Sequence, residues 1–203
     1  MKHLVQKQLA QSISTLQATL ADLHIADTIV TIAELTANAM LAGRKLLVAG
    51  NGGSAADAQH LVAEFVVRLT VNRPALRAIA LTTDSSILTA TGNDFGFDQL
   101  FSRQVEALGL PGDLFLGIST SGNSRNIINA LHQAKKMDIT TIGFTGNDGG
   151  RMRDLCDHNV IIPSNTTMNI QECHLALEHI FCTVVERFYF GPAFATQPQL
   201  LSE

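Results

Sequence analysis

Leu114-Phe115-Leu116-Gly117-Ile118, followed at once by Ser119-Thr120-Ser121-Gly122-Asn123-Ser124 and a helix-forming run from near Arg125, is the stretch on which the fold turns. A short run of apolar residues is what a strand buried on both faces requires, and the next segment places hydroxyls and a glycine where that strand must become a helix. A helix N-terminus presents unpaired backbone N–H groups and roughly half a positive charge, so hydroxyls gathered there wrap an anion without lysine or arginine. A single Ser, Thr or Asn is enough to cap a helix. Four hydroxyls within six positions exceed that need, and the stretch reads as a phosphate cradle.

The same grammar recurs on either side. Short apolar runs at residues 46–49, 78–81, 114–118, 141–144 and 160–162 are each separated by a helical pattern, which is the signature of βαβ units and a parallel sheet. Ahead of them, Leu4, Leu9, Ile13, Leu16 and Leu20, then Ile29, Ile32, Leu35 and Ala39, recur at helical spacing. The expected fold is α/β: a three-layer sandwich with a five-stranded parallel sheet flanked by helices, two helices leading it and a long helix closing it. One domain over residues 1–203 accounts for the chain, with a helical segment at 1–43 and an α/β core at 44–193.

Composition narrows the ligand. With 46% hydrophobic and 16% charged residues the chain is that of a compact globular protein, and a net charge of −4 with scattered Lys and Arg offers no basic face for nucleic acid or an anionic membrane. A small molecule is the expected partner. Met1-Lys2-His3-Leu4 leads into alternating polar and apolar residues, neither secretion signal nor membrane span, so the expected location is the cytoplasm. Cys156, Cys173 and Cys182 form no CxxC pair and read as buried free thiols.

Ligands of open α/β sheets bind at the carboxyl ends of strands, where glycine lets the backbone bend or approach a ligand closely. The loops Gly50-Asn51-Gly52-Gly53-Ser54 and Ser119–Ser124, after the first and third strands, are therefore expected to face one crevice. Gly50, Gly52 and Ala55 satisfy a GxGxxA form, but Asp84 lies too far on to serve as a ribose-binding acid and no Gly-Lys-Ser or Gly-Lys-Thr is present. The glycines read as admitting a sugar or phosphate. On the helix that follows, His60 and Glu64 share a face, and imidazole with carboxylate suits zinc; the same spacing also suits a solvated surface pair. The last helix holds Gln171, Glu172, His174, Glu178 and His179, from which spacing alone selects neither the His174–Glu178 pair nor the Gln171–His179 pair. Asn93-Asp94 after Gly92 reads as a loop that contacts sugar hydroxyls or simply turns, and Arg68 and Arg73 are candidates for charge near a phosphate.

Taken in order, VAGNGGSAADAQHLVAEF, GNDFGFDQLFSRQVEALG, GISTSGNSRNI, GFTGNDGG and IQECHLALEHI strongly resemble the bacterial phosphoheptose isomerases of the sugar isomerase (SIS) domain superfamily, over most of the chain from about Gly43 to the final helix. The resemblance implies a cytoplasmic homotetramer, with the leading helices used for oligomer packing, that converts sedoheptulose 7-phosphate to D-glycero-D-manno-heptose 7-phosphate for the lipopolysaccharide core. It implies one zinc ion per subunit held by His60, Glu64, Gln171 and His179, with Glu64 and His179 as the catalytic pair. Substrate contacts would come from Asn51, Gly52, Gly53, Ser54, Glu64, Asn93, Asp94, Ser119, Thr120, Ser121, Ser124 and Gln171. The chain departs from some members, which carry an acidic residue just before the Ile-Gln-Glu motif, by having Met168-Asn169-Ile170, so the transfer is firmer at the two ends of the sugar than in its middle.

Other functions were weighed. A non-catalytic tetrameric SIS scaffold that binds a replication initiator protein resembles this family closely, but that branch lacks the equivalents of Glu64 and His179. Arabinose 5-phosphate isomerases and sugar-responsive transcription factors carry extra domains for which this chain has no room. A nicotinamide dehydrogenase is the remaining alternative, resting only on the weak glycine pattern.

Overall fold

The computed structural model describes residues 1–191, so positions 192 and 193 of the expected core, with the rest of the chain to residue 203, lie outside the described residues. Five strands, β1 (Leu46–Gly50), β2 (Ala78–Ala80), β3 (Leu114–Ile118), β4 (Thr140–Gly146) and β5 (His158–Ile162), form one parallel sheet in the order β2-β1-β3-β4-β5. The apolar runs are continuous because both faces of the inner strands are covered. Leu46 and Val48 of β1 join Leu114, Leu116 and Ile118 of β3 on one side, whereas Leu47, Ala49 and Phe115 point to the other.

The first side is packed by α2 (Leu23–Leu41), α3 (Gly53–Val66) and α7 (Thr167–Phe190); the second by α5 (Ser102–Leu108) and α6 (Arg125–Lys136), with α4 (Ser85–Asp94) alongside. This is the expected three-layer sandwich. The two leading helices part company, however. The stripe of α2, including Ile25, Ile29, Ile32 and Ala33, finds its partner inside the chain, against the sheet and α7. By contrast Leu4, Leu9, Ile13, Leu16 and Leu20 of α1 (Lys2–Ala21) remain 41–81% exposed. What ties α1 down is mostly polar: Asn169 Nδ2 donates to Ser12 Oγ at 3.1 Å, and Thr19 Oγ1 lies 3.7 Å from Cys173 Sγ. Among the described residues no helix is long and apolar enough to cross a membrane.

Arg73 does not approach the phosphate cradle. Its side chain is wholly buried, with Nε 2.6 Å from Glu186 Oε1 on α7, Nη2 donating to the Glu64 carbonyl (2.6 Å) and Nη1 to the Phe65 carbonyl (2.8 Å). The last carbonyls of a helix have no intrahelical donor, and here a cation supplies the hydrogen bonds where the helix dipole favours positive charge. The guanidinium therefore closes α3 and links it to α7. Arg68 is exposed.

Removing one member of such a pair strands a buried charge. Arg73→Met is expected to lower the unfolding free energy by about 3–5 kcal/mol in urea titration. Arg73→Lys should recover little, because an ammonium cannot reproduce the planar fork that reaches a carboxylate and two carbonyls together.

Candidate active site

Chain order runs from β1 outward to β2 and then back across to β3, so the sheet reverses direction between β1 and β3 and leaves a crevice at their carboxyl ends. The two loops expected to share that crevice do so. Asn51 and Asn126 exchange hydrogen bonds through both side-chain amides, at 2.9 and 2.8 Å, locking the loop after β1 to the first turn of α6. A cleft of about 280 Å³ opens beside it, lined by Asn51, Gly52, Ala55, Thr82 and Phe101.

The serine-rich turn is organised around its own hydroxyls. Ser119 Oγ lies 2.9 Å from Ser124 Oγ and 3.5 Å from Ser121 Oγ, while Asn123 N–H donates to Ser121 Oγ at 3.2 Å. Ser124 occupies the N-cap position of α6 but makes no side-chain cap bond, since its hydroxyl is turned to Ser119. The opening of α6 is thus left facing the cradle. Gly122, at φ +64, is the residue that lets the turn close: a Cβ there would overlap the Gly149 carbonyl of the neighbouring loop. Arg125, next in the chain, is directed away to Asp98 at 2.7 Å.

Along α3 the helix axis leads from the crevice to a second cluster, about 10 Å from Gly53 to His60 at the usual rise per residue. There His60 Nε2 and His179 Nε2 approach to 2.8 Å with their rings edge to face, and Glu64 Oε1 lies 3.6 Å from His60 Nε2. One ligand atom from each of the three residues falls within 4.8 Å of the others, a spacing that could hold a metal ion. Two imidazole nitrogens and one carboxylate oxygen, at about the separation of neighbours in a tetrahedral shell, fit a metal ion with a position left open. The two α7 pairs differ in burial, His174 and Glu178 being sealed in the core. His179 faces α3, and Gln171 reaches it about two turns earlier, donating from Nε2 to Asp57 Oδ2 at 3.0 Å and lying against Gly53. Burial pushes the Asp57 carboxyl up, opposed by the Gln171 hydrogen bond and by His60.

His174 and Glu178 point instead into the core, where His174 Nδ1 and both Glu178 carboxyl oxygens have no hydrogen-bond partner. Burial, reinforced by the charge of Asp57, pushes Glu178 up to about 9, so it is a neutral acid inside the fold. Burial drives His174 down to about 4, opposed by its 2.9 Å contact from Nε2 to the Thr145 carbonyl.

One other expectation is corrected. Asn93 and Asp94 are not in a loop but form the last turn of α4, exposed and bonded to each other at 2.7 Å. Asp84 is the N-cap of α4, accepting from Ile87 N–H at 2.9 Å, as an Asp before a helix commonly does. Asn169, where some relatives place an acidic group nearby, is turned to Ser12 and Glu172. Asp57 and Asn126 went unread in the sequence; for Asp57 the available signal was a polar residue one turn before His60, but its burial is fixed only by α7.

Comparison with known proteins bears on this geometry directly. Residues 8–146 match the SIS domain family model, and the chain belongs to that family. Within it, relatives similar over most of the chain are phosphoheptose isomerases. One from Burkholderia pseudomallei is 51% identical over 187 residues, covering 92% of this chain and 95% of that protein. Another from Aneurinibacillus thermoaerophilus is 47% identical over 196 residues, covering 97% and 99%. Among solved structures, phosphoheptose isomerase GmhA from Neisseria gonorrhoeae is similar at a TM-score of 0.86 and 42% identity, covering 91% of this chain and 98% of that one.

The buried imidazole has a measurable consequence. His174 is neutral in the fold down to about pH 4 but protonates near its ordinary value of 6.5 when unfolded, so stability is lost as the pH falls between those values. His174→Gln, which keeps a donor for Thr145, should abolish about 3 kcal/mol of that acid-side loss in urea unfolding followed from pH 7 to pH 4.

Proposed function

We infer that the chain is an aldose–ketose isomerase converting sedoheptulose 7-phosphate to D-glycero-D-manno-heptose 7-phosphate, in the supply of heptose for lipopolysaccharide core precursors. The observation that carries the reading is the meeting of Glu64 from α3 with His179 from α7, on the helix whose other end opens at the phosphate cradle. Phosphate and carbonyl sit at opposite ends of this substrate, and the two clusters are separated in the same sense.

Ser119, Thr120, Ser121 and Ser124 hold the phosphate with the N-terminus of α6. Asn51, Gly52, Gly53, Ser54 and Gln171 border the path from cradle to cluster. Asn93 and Asp94 belong to the proposed set through the resemblance of their segment and not through any contact within this chain. At the carbonyl end Glu64 removes the proton from C1 to give an enediolate, and a proton is returned at C2. His179, whose imidazole can accept a proton at one ring nitrogen and donate from the other, moves protons between the two oxygens.

His60, Glu64, Gln171 and His179 would hold one zinc ion per subunit. Zinc bound there supplies a Lewis acid that stabilises the negative charge developing on the sugar oxygens. We further propose a cytoplasmic homotetramer, supported by the exposed apolar stripe of α1, which no segment of the described chain covers. The scaffold reading is not favoured, since Glu64 and His179 are both present and converge.

Incubation of the purified chain with sedoheptulose 7-phosphate should yield the aldose, with turnover lost on chelation and restored by zinc; absence of product under all three conditions overturns the assignment. Glu64→Gln should lower kcat by about 10³-fold while the sugar phosphate still binds. Ser124→Ala should instead raise KM about tenfold with little change in kcat, the pattern of a lost binding contact.

A further inference from the structure

We propose that Asp57 is a positioning residue, which fixes the side-chain amide of Gln171 so that its oxygen, not its nitrogen, is presented to the site. The inference rests on the reading above in which Gln171 contacts metal and substrate. Asp57 is 7% exposed, on the turn of α3 preceding His60, and its Oδ2 accepts from Gln171 Nε2 at 3.0 Å. An amide offers an acceptor on one side and two donors on the other, and the two orientations have nearly the same shape. Steric packing therefore cannot choose between them. The Gln171 amide lies flat against Gly53, where a Cβ would overlap both Nε2 and Oε1, so the slot fixes its plane without fixing its polarity.

Asp57 Oδ2 is placed to accept from the amide, and a carboxylate oxygen paired with Nε2 sets the polarity: Nε2 faces Asp57 and Oε1 faces away. Among the described residues Oε1 accepts no hydrogen bond, so the oxygen is the free end of the amide. In the opposite orientation the same slot would aim an N–H at a metal ion or at a sugar hydroxyl oxygen. Only the oxygen can ligate. Outer partners of this kind typically change metal affinity by about 10- to 100-fold when removed.

The test is a four-protein cycle on the full-length chain: wild type, Asp57→Asn, Gln171→Glu and the double variant, each read by zinc affinity in competition with a chromophoric chelator, with thermal melting as the check on folding. Asp57→Asn keeps the shape but offers both a donor and an acceptor, so zinc affinity should fall about tenfold. Gln171→Glu carries an oxygen on both sides, and its charge repels Asp57. In that background Asp57→Asn should raise zinc affinity, because the asparagine amide now donates to the new carboxylate. The sign reversal is the signature, since a role confined to folding would weaken binding in both backgrounds. A loss in both backgrounds, or affinity within about twofold of the parent in both, overturns the inference. If Asp57→Asn alone melts too low to measure, the comparison of the double variant with Gln171→Glu decides it by the same sign. A wild-type chain that binds no zinc would instead overturn the metal reading on which the inference rests, and the two failures are thereby told apart.

Discussion

The carbonyl groups that end α3 must find donors in a place water does not reach, and the guanidinium of Arg73 provides them. It takes the Glu64 and Phe65 carbonyls at 2.6 and 2.8 Å while Nε engages Glu186 of α7 at 2.6 Å. With side chains only 0% and 5% exposed, the pair is expensive to desolvate and contributes little net stability beyond what an apolar replacement of both would give. Its effect is on geometry. The turn of α3 that carries Glu64 has one place to end, and α7 is tied to it through the same cation, so Glu64 and His179 are held face to face by a contact that touches neither of their side chains.

Around that fixed pair of helices the site divides its tasks between two kinds of structure. The proposed phosphate end is a turn at the switch point of the sheet, held by the Ser119–Ser124 pairing within it, by the Asn51–Asn126 pair that ties in the loop after β1, and by Gly122 pressed against the next loop. The carbonyl end is built from side chains on two long helices, whose backbone hydrogen bonds keep their relative positions rigid. Along α7, successive residues serve opposite ends: His179 turns to α3, whereas His174 and Glu178 are sealed below it as neutral groups. A rotation of α7 by one residue would exchange a half-buried imidazole for a buried acid.

The sheet could be read from the chain because strands covered on both faces leave unbroken apolar runs, and the boundaries found for β1 and β3 differ from the expected ones by no more than a residue. The serine-rich turn was readable for a similar reason, since its chemistry is local. The choice between the two α7 pairs was not. Spacing fixes the angle between residues on one helix, but not which way the helix is turned, and that is set by packing against α2 and α3. The family resemblance selected Gln171 and His179, and burial of His174 and Glu178 agrees. Arg73 was read as a phosphate candidate and Asp57 was not read at all, because their partners, Glu186 and Gln171, lie more than a hundred residues away in the chain. Asn93 and Asp94 were placed in a loop because glycine, asparagine and aspartate favour turns, yet the same residues also close helices, as they do in α4.

On the proposed function, the cradle of serines would bind charge without carrying any. Its hydroxyls and helix-end N–H groups act over a hydrogen bond's length, and Arg125 beside them is already neutralised by Asp98. Recognition of this type fades within one turn of the helix and draws nothing from bulk solution, in contrast to a field of lysines that gathers every passing polyanion and weakens in proportion to added electrolyte. Such a pocket gives up long-range capture, and what it gains is a fit set by hydrogen-bond geometry and largely indifferent to the salt around it.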